Sequence, residues 1–566
     1  MDEQRRTDHA AWPHRAALLA ALGAGFGLLF HWLANGPDRS LGGDDPLRVA
    51  AAAFLAVSGI VFAVSLERRR WPWSVGFAAV AGLVVAFVAA WNGNPDHWGA
   101  GEGWQFVSAL LAVAIAVPLF QSIRDGDSLR PETPVVHAHI WTNLILGAAA
   151  GAFVIAAVLL TLLLAALFNL IGIDLLRDLI DQGWFMIPLV CAAFGGAVGL
   201  LRDRDQVLGT LQKVARAVLS VLAPVLAIGL ALFVLALPFT GLQPLWDQTK
   251  ATTPILLACI LGAILLANAV VGNDQGEEAR SPALRYAGVA LASVMAPLAL
   301  VAALSTGRRV AQYGFTPGRL WACVFVFAAA AFALAYLYAL VRGRAGWPEA
   351  LRRANVRLAA GLGLLALFLA LPIVSFGAIS ARDQLARLEG GKVAPDRFDW
   401  AAMRFDFGPS GRKALEKLAA AADPVVRQRA REALRTSTRW AIAQPPPPPV
   451  AGGSSPALRL RIEGAAAVPP ELADLAARTS HCYDEDCRLV FVGPKQAALM
   501  RPACPSCQIY LFEGRPDGTW GRSHPELPGV PDRSIAIDVD RGRVELRKVE
   551  RRQLFVDGRP VGQAFE

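Results

Sequence analysis

Eleven long apolar runs fill the first two thirds of this chain and leave few folds open to it. They fall at about 16–34, 49–66, 73–91, 104–120, 142–169, 185–201, 217–239, 252–271, 286–305, 320–341 and 358–379. A helix needs roughly 20 mainly apolar residues to cross a ~30 Å hydrocarbon core. One such run could be the core helix of a soluble domain. Eleven in succession, joined by short charged loops, predict a polytopic bundle of membrane-spanning helices. Inside lipid every backbone polar group must be satisfied, so each run should be helical, and the Gly and Ala within them let neighbours approach closely. The chain is 54% hydrophobic and only 18% charged, so its net charge of +9 reads as the loop arginines of a membrane protein. No dense basic stripe or RNA- or DNA-binding signature points to nucleic acid.

Residues 16–34 follow Arg5, Arg6 and Arg15. The run is longer than a signal-peptide core and lacks a small-residue cleavage pattern, so it is read as an uncleaved first span. Lys and Arg accumulate on the cytoplasmic side of membrane proteins. With the N-terminus inside, the cytoplasmic segments hold nineteen Lys and Arg, and the outer loops hold seven: Arg39, Arg48, Arg177, Lys250, Arg308, Arg309 and Arg319. Eleven spans then place the C-terminal part outside.

Three of those seven fall in one stretch, "RRVAQYGFTPGRLW" at 308–321. Gly314 allows a tight turn, and Thr316 and Pro317 can cap and start the tenth span, leaving Arg319 in its first turn. A cation there opposes the helix dipole by a few tenths of a kcal/mol up to about 1, so an anion would help. Arg308, Arg309 and Arg319 are therefore candidates to contact lipid phosphate or an acidic partner loop; solvated arginines without a specific role are the plain alternative.

Other loops are consistent with this layout. "WNGNPDHWGAGEGW" (91–104) has no Lys or Arg and carries Trp at both ends, where indoles sit at headgroup level. "IGIDLLRDLIDQGW" (171–184) places Ile173, Leu176, Leu179 and Ile180 on one helical face, with Asp174, Arg177, Asp178 and Asp181 largely on the other. It reads as an interfacial helix. No Asp, Glu or Lys lies deep inside a span, which argues against an ion-coupled pathway. The polar residues within spans, Asn143, Thr161, Asn169 and Asn268, are expected to bond neighbouring helices. His137 and His139 at i and i+2 point about 200° apart on a helix, too far to share a metal easily. No phosphate-cradling loop, HExxH helix or Gly-x-Ser-x-Gly elbow is present, so no catalytic residue and no cofactor is assigned.

Beyond residue 379 the chain turns polar. Residues 380–442 suggest short helices near 381–389, 410–421 and 424–435, charged enough to read as a solvated connector. "AQPPPPPVAGGSS" (443–455) is a stiff, then flexible, linker. Residues 456–566 alternate apolar and polar in short runs, with a helix near 469–478 and an Asp-Gly hairpin signal in "FVDGRPV", and predict a small β-rich module. This module holds Cys482, Cys487, Cys504 and Cys507. Their spacing fits two disulfides or a four-thiolate zinc site, with His481 beside Cys482. An outside location and the carboxylates Asp484, Glu485 and Asp486 inside the first pair favour disulfides, because neighbouring anions disfavour thiolates. A redox-active Cys504-Pro-Ser-Cys507 is a third reading. Cys191, Cys259 and Cys323 stand alone in spans and should pack as small apolar residues.

The segments "RVAQYGFTPGRLWA" and "LPIVSFGAISARDQLARLEGGKVAPDRFDWAAMRFDFG" resemble a bacterial family of multi-pass inner-membrane proteins catalogued as domain of unknown function 4153. The resemblance covers roughly residues 15–435. It implies a polytopic inner-membrane protein with a typical Tyr-Gly-x-Thr-Pro loop, and carries over no catalytic residue. Three classes of function remain. A non-catalytic sensor, assembly factor or envelope scaffold, whose outer domain binds an envelope protein, is supported by the linker and the separate module. A transporter or lipid-handling protein is supported by the span number. A membrane enzyme would need a carboxylate at membrane level, for which Asp174, Asp178 and Asp181 are the available cluster.

Overall fold

The structure, a computed structural model, describes residues 12, 14–34, 46–68, 70–95, 98–126, 133–248, 251–436, 439, 460–463, 468–479, 487–493, 495–500, 510–514, 520–523, 552–556 and 559–565. The chain forms two compact units, Met1–Pro445 and Pro446–Glu566, divided within the proline run.

The first unit is a helical bundle. Its long helices are α1 (Arg15–Ala34), α2 (Pro46–Ser65), α3 (Trp71–Asn92), α4 (Ala100–Asp125) and α5 (Thr133–Leu170). After the short α6 (Leu175–Ile180) come α7 (Gly183–Arg202) and α8 (Asp205–Thr240). The short α9 (Gln243–Gln248) precedes α10 (Thr252–Val271), α11 (Pro282–Tyr313), α12 (Pro317–Gly343) and α13 (Trp347–Ala370). By length and apolarity the described residues hold ten candidate spans, of which the last, Pro317–Ala370, counts 54 residues. At about 1.5 Å per residue it would reach ~80 Å, far more than a bilayer. It is not one rod. A 3₁₀ turn at Arg344–Gly346, with Arg344 at φ 46°, separates α12 from α13, and the two pack against each other. The described residues thus hold eleven helices of crossing length.

Two helices run well past their apolar runs. α5 starts at Thr133, with Pro134 in its first turn, and α8 starts at Asp205. The added length of α8, 205–216, carries the good helix formers Gln, Leu, Lys, Ala and Arg, whereas that of α5, 133–141, holds Thr133, His137 and His139, which end the apolar run. The ends of the helices gather on two faces, called near (the face bearing the start of α1) and far.

Packing is closest between α1 and α7. A Cβ on Gly23 or Gly27 of α1 would fall closer than 3.0 Å to the backbone of Cys191 or Pro188, and one on Gly195 or Gly199 of α7 equally close to Leu19 or Ala16. Two Gly-x3-Gly pairs thus let antiparallel backbones touch. α11 is the centre of the second half, with Leu291, Met295, Leu298 and Ala302 fully buried. α4 and α13 join the halves, where Ser108 Oγ donates to Ala366 O at 2.9 Å.

Polar side chains within the spans hold one another. Asn143 Nδ2 donates to Gln121 Oε1 at 2.7 Å, and Gln121 Nε2 to Val64 O at 3.1 Å. Asn268 Nδ2 donates to the Tyr336 hydroxyl at 2.7 Å and accepts from Asn355 at 2.7 Å. Thr161 bonds within its own helix, to Ala157 O at 2.8 Å, and Asn169 donates to Asp174 Oδ1.

At the near face, buried arginines close the carbonyl ends of helices. Arg15 and Arg202 donate to Leu66 O, and Arg124 to Ser65 O, all at the end of α2. Arg352, 2% exposed, donates to Val271 O at 3.1 Å at the end of α10 and pairs with Glu278 and Glu349, both at 3.0 Å. Cations at helix C-termini oppose the partial negative charge there. Arg216 of α8 grips Glu277 with both terminal nitrogens, which holds the Glu277 carboxyl below its usual value, against the opposing effect of partial burial.

After the last span the first unit continues as four helices, α14 (Phe376–Glu389), α15 (Trp400–Phe405), α16 (Gly408–Leu418) and α17 (Pro424–Arg435). Side chains cap three of them: Ser375 accepts from Ala378 N, Asp399 from Ala402 N, and Asp423 from Val425 N and Val426 N. The expectation of a solvated connector is corrected here. Leu388, Phe398, Trp400, Met403, Phe407 and Leu415 form a buried core, joined by Val426, Ala430 and Ala433. The apolar stripe is narrow and rich in Ala, and flanking Arg and Glu conceal it in the sequence.

The second unit contains β1 (Leu460–Glu463), α18 (Pro470–Thr479), β2 (Cys487–Gly493), β3 (Gln496–Met500), β4 (Tyr510–Gly514) and β5 (Trp520–Ser523). The sheet order follows the chain; β1 and β2 are parallel, and the other pairs antiparallel. Leu472 and Ala476 of α18 pack on Leu489, Ala497, Leu499 and Phe512. β6 (Arg552–Val556) and β7 (Arg559–Phe565) pair separately and antiparallel, with Val556 opposite Arg559; the Asp-Gly pair of the expected hairpin lies outside the described residues. The alternating runs "SIAIDVD" (534–540) and "RVELRKV" (543–549), which also read as strands, lie outside the described residues.

Candidate functional site

The far face of the first unit brings together the loops that carry the distinctive motifs. α11 ends at Tyr313, and Gly314 turns the chain at φ +74°, its N–H returning to Val310 O at 2.8 Å. With ψ near 180° this conformation belongs to glycine. Thr316 Oγ1 accepts the Arg319 N–H at 3.3 Å and Pro317 follows, the cap-then-proline start expected for this helix.

One face of α14 grips this turn. Asp383 Oδ2 accepts the Phe315 N–H at 2.7 Å. Gln384 Nε2 donates to Tyr313 O at 2.9 Å and to Phe315 O at 3.0 Å, and Arg387 donates to Gln312 O at 2.6 Å. A Cβ on Gly314 would fall closer than 3.0 Å to all three of these side chains. The spacing i, i+1, i+4 in "RDQLAR" puts them on one helical face, a signal available in the sequence once residues 376–389 are recognised as one helix.

A ring contact also fixes the helices of residues 376–435 to the bundle. Phe376 meets the ring of Trp321 edge-on at 5.1 Å, while Trp104 and Phe325, 4.8 Å apart, join α4 to α12 beside it. Gly377 lies against the backbone of Phe407, and Gly99 beside Phe405 and Asp406. Glu102 completes this corner: Oε2 accepts the Gly99 N–H at 3.1 Å, while its backbone carbonyl accepts from Asn92 Nδ2 at 3.1 Å. Gly99 and Glu102, at the start of α4, thus form a seat for these helices.

The three far-face arginines have separate settings. Arg308 stacks on Trp246 of α9, its Cζ 4.1 Å from the ring centre, and Trp246 Nε1 donates to Ser305 Oγ at 3.0 Å. Arg319 reaches back across the turn to Gly314 O at 2.9 Å and Tyr313 O at 3.2 Å, lying 5.3 Å over the Tyr313 ring. Its charge therefore meets the negative end of α11 as well as the positive end of its own helix. Arg309 is half-buried on the last turns of α11.

The remaining candidates are dispersed. Asp178 lies within the short, exposed α6, and Asp174 and Asp181 flank its two ends. His137 Nδ1 lies 3.2 Å from Thr133 O, while His139 Nε2 pairs with Asp125 at 3.4 Å. Cys482, Cys504 and Cys507, with His481, lie outside the described residues, and of Cys487 only the backbone, at the start of β2, is described. Cys191, Cys259 and Cys323 are free thiols, each half-buried.

Eleven apolar helices, polar groups joined between spans and a helical cap on one face define a multi-pass α-helical membrane protein. A model of the family described as a domain of unknown function (DUF4153) matches residues 49–418, and the chain belongs to that family. The match runs from α2 through α16 and includes both sides of the far-face grip. Neither a curated protein nor a solved structure matches the chain.

Proposed function

We propose that this protein is a non-catalytic sensor, assembly factor or scaffold of the bacterial inner membrane, with its N-terminus cytoplasmic and its C-terminal module extracytoplasmic. One observation carries this reading: the groups in its distinctive segments are engaged in holding the protein together. Asp383, Gln384 and Arg387 bind backbone in the 312–315 turn, and the amides and hydroxyl of Asn143, Gln121, Asn268 and Tyr336 bind one another. Such an arrangement favours a rigid platform from which the module beyond residue 445 meets a partner in the envelope. The nineteen-to-seven distribution of Lys and Arg supports the orientation.

Membrane-impermeant maleimide, applied to cells before and after inner-membrane permeabilisation, tests the orientation. Cys482, Cys487, Cys504 and Cys507 should label without permeabilisation, and only after reduction. Labelling that needs permeabilisation reverses the reading. The role itself is tested by removing residues 446–566, which should abolish the phenotype of the full chain while the membrane unit still accumulates. Loss of phenotype, at normal protein level, on Asp-to-Asn changes at 174, 178 and 181 would instead favour an enzyme.

A further inference from the structure

Three arginines gather around the far end of α11, two of them with their guanidinium groups on consecutive carbonyls. Arg387 of α14 donates to Gln312 O, and Arg319 of α12 donates to the next two, Tyr313 O and Gly314 O. Arg309 stands one turn earlier on α11, on the helical face of Gln312 and Tyr313, and makes no hydrogen bond among the described residues. Repulsion from both Arg309 and Arg387 acts on Arg319.

The protein supplies only part of the compensating charge. Asp383 and Asp399 keep their charges while accepting the Phe315 and Ala402 N–H groups, so two carboxylates stand against three guanidinium groups. Neither forms an ion pair with the three arginines among the described residues. The carbonyl end of α11 adds about half a negative charge. Meanwhile Arg387 Nε is buried without a hydrogen-bond partner among the described residues, and leaving a buried donor unmet costs roughly 1–3 kcal/mol, more on a charged group.

We propose that Arg309, Arg319 and Arg387 bind a phosphate group at the far membrane surface, either the phosphodiester of a lipid headgroup or a soluble phosphate. Guanidinium forks match phosphate oxygens two at a time, which ammonium groups do not. The site lies where one apolar helix ends and the next begins, the level at which a bilayer presents its phosphates. Arg308 is not part of it, being stacked on Trp246. The proposal is independent of the scaffold reading, because the site would serve a transporter or an enzyme equally.

The full chain in a phosphate-free maltoside detergent, titrated with inorganic phosphate or with phosphatidylglycerol, provides the test. The midpoint of thermal unfolding is followed against sodium chloride at matched ionic strength. A saturable rise with phosphatidylglycerol alone identifies a headgroup site; a rise with inorganic phosphate identifies a soluble ligand. R309Q leaves the grip of α14 on the turn intact and should raise the half-saturating concentration about tenfold or more. R387K, which keeps charge without the fork, should weaken binding less than R387Q, and R353Q on the near face should titrate like the parent. The proposal is overturned if neither ligand acts beyond chloride, or if R309Q titrates unchanged. Should R387Q fail to fold, R309Q alone decides.

Discussion

The carboxylate of Asp383 accepts the backbone N–H of Phe315 at 2.7 Å across 68 residues of sequence. That bond ties the helix after the last span to the turn between α11 and α12. The two segments that most resemble the family are therefore two halves of one contact.

Gly314 is the position on which this contact depends. Gly314→Ala forces a side chain into a glycine-only conformation and against Asp383, Gln384 and Arg387. It should cost about 1–3 kcal/mol from backbone strain, with steric cost added. Asp383→Ala strips the Phe315 N–H of its acceptor and should cost about 1–3 kcal/mol, whereas Asp383→Asn keeps an acceptor and should lose less. Unfolding in detergent, followed by near-ultraviolet dichroism, ranks the three; equal stability of Gly314→Ala and wild type would refute the argument.

The α1–α7 pair should tolerate no side chain at its closest approach. Gly195→Val and Gly23→Val place atoms on the backbone of the opposite helix, whereas a Cβ on Gly25 or Gly147 meets nothing within 4 Å. The first two should sharply reduce the yield of monodisperse protein, and Gly25→Ala and Gly147→Ala should leave it unchanged. Size-exclusion profiles of a fluorescent fusion make the comparison without purification.

Adjacent arginines at the near face should differ greatly. Arg352→Ala leaves Glu278 and the Val271 carbonyl without their buried partner, a loss of about 3–5 kcal/mol for a buried pair. Arg353 is 59% exposed and lies 3.8 Å from Glu349, so Arg353→Ala should cost roughly 0–0.5 kcal/mol. The difference between their unfolding temperatures checks this; comparable losses would mean that the Arg352 network contributes little.

Acid should weaken the link between Arg216 and Glu277. Hydrogen bonds from Arg216 depress the Glu277 carboxyl, so its contribution is complete above the unfolded carboxylate value, ~4.3. It is lost as pH falls through the lower folded value. The unfolding temperature of wild type should exceed that of Glu277→Gln at neutral pH, and the gap should narrow below about pH 4. A gap independent of pH would contradict this.

The spans were legible because burying backbone in lipid demands long apolar runs, and α2 and α10 follow theirs within three residues, whereas the last run, 358–379, divides between α13, which starts at Trp347 and ends at Ala370, and α14, which starts at Phe376. The polar beginnings of α5 and α8 were not, since a hydropathy window stops where a helix leaves the hydrocarbon. The core of α14–α17 escaped notice because Ala414, Ala430 and Ala433 signal little beside their charged neighbours. Arg319 shows a different limit. Its place in the first turn of α12 suggests an unfavourable dipole, but the hairpin brings the opposite pole of α11 within hydrogen-bond reach. Helix-by-helix reasoning does not see a neighbour that only the turn creates. The settings of Asp383, Gln384 and Arg387 were hidden for the same reason.

The near-face arginines that close α2 have a consequence for how the chain is made. Arg15, Arg124 and Arg202 belong to the charge bias expected to steer insertion, yet each also donates to a carbonyl at the end of one early helix. Two of the donors emerge after that helix has been synthesised. A lysine in their place would preserve the orientation signal but lack the planar fork that reaches these carbonyls. Biogenesis and the finished fold thus read the same residues by different properties, charge alone first and guanidinium shape later, so a substitution invisible to the insertion machinery should still leave a defective product.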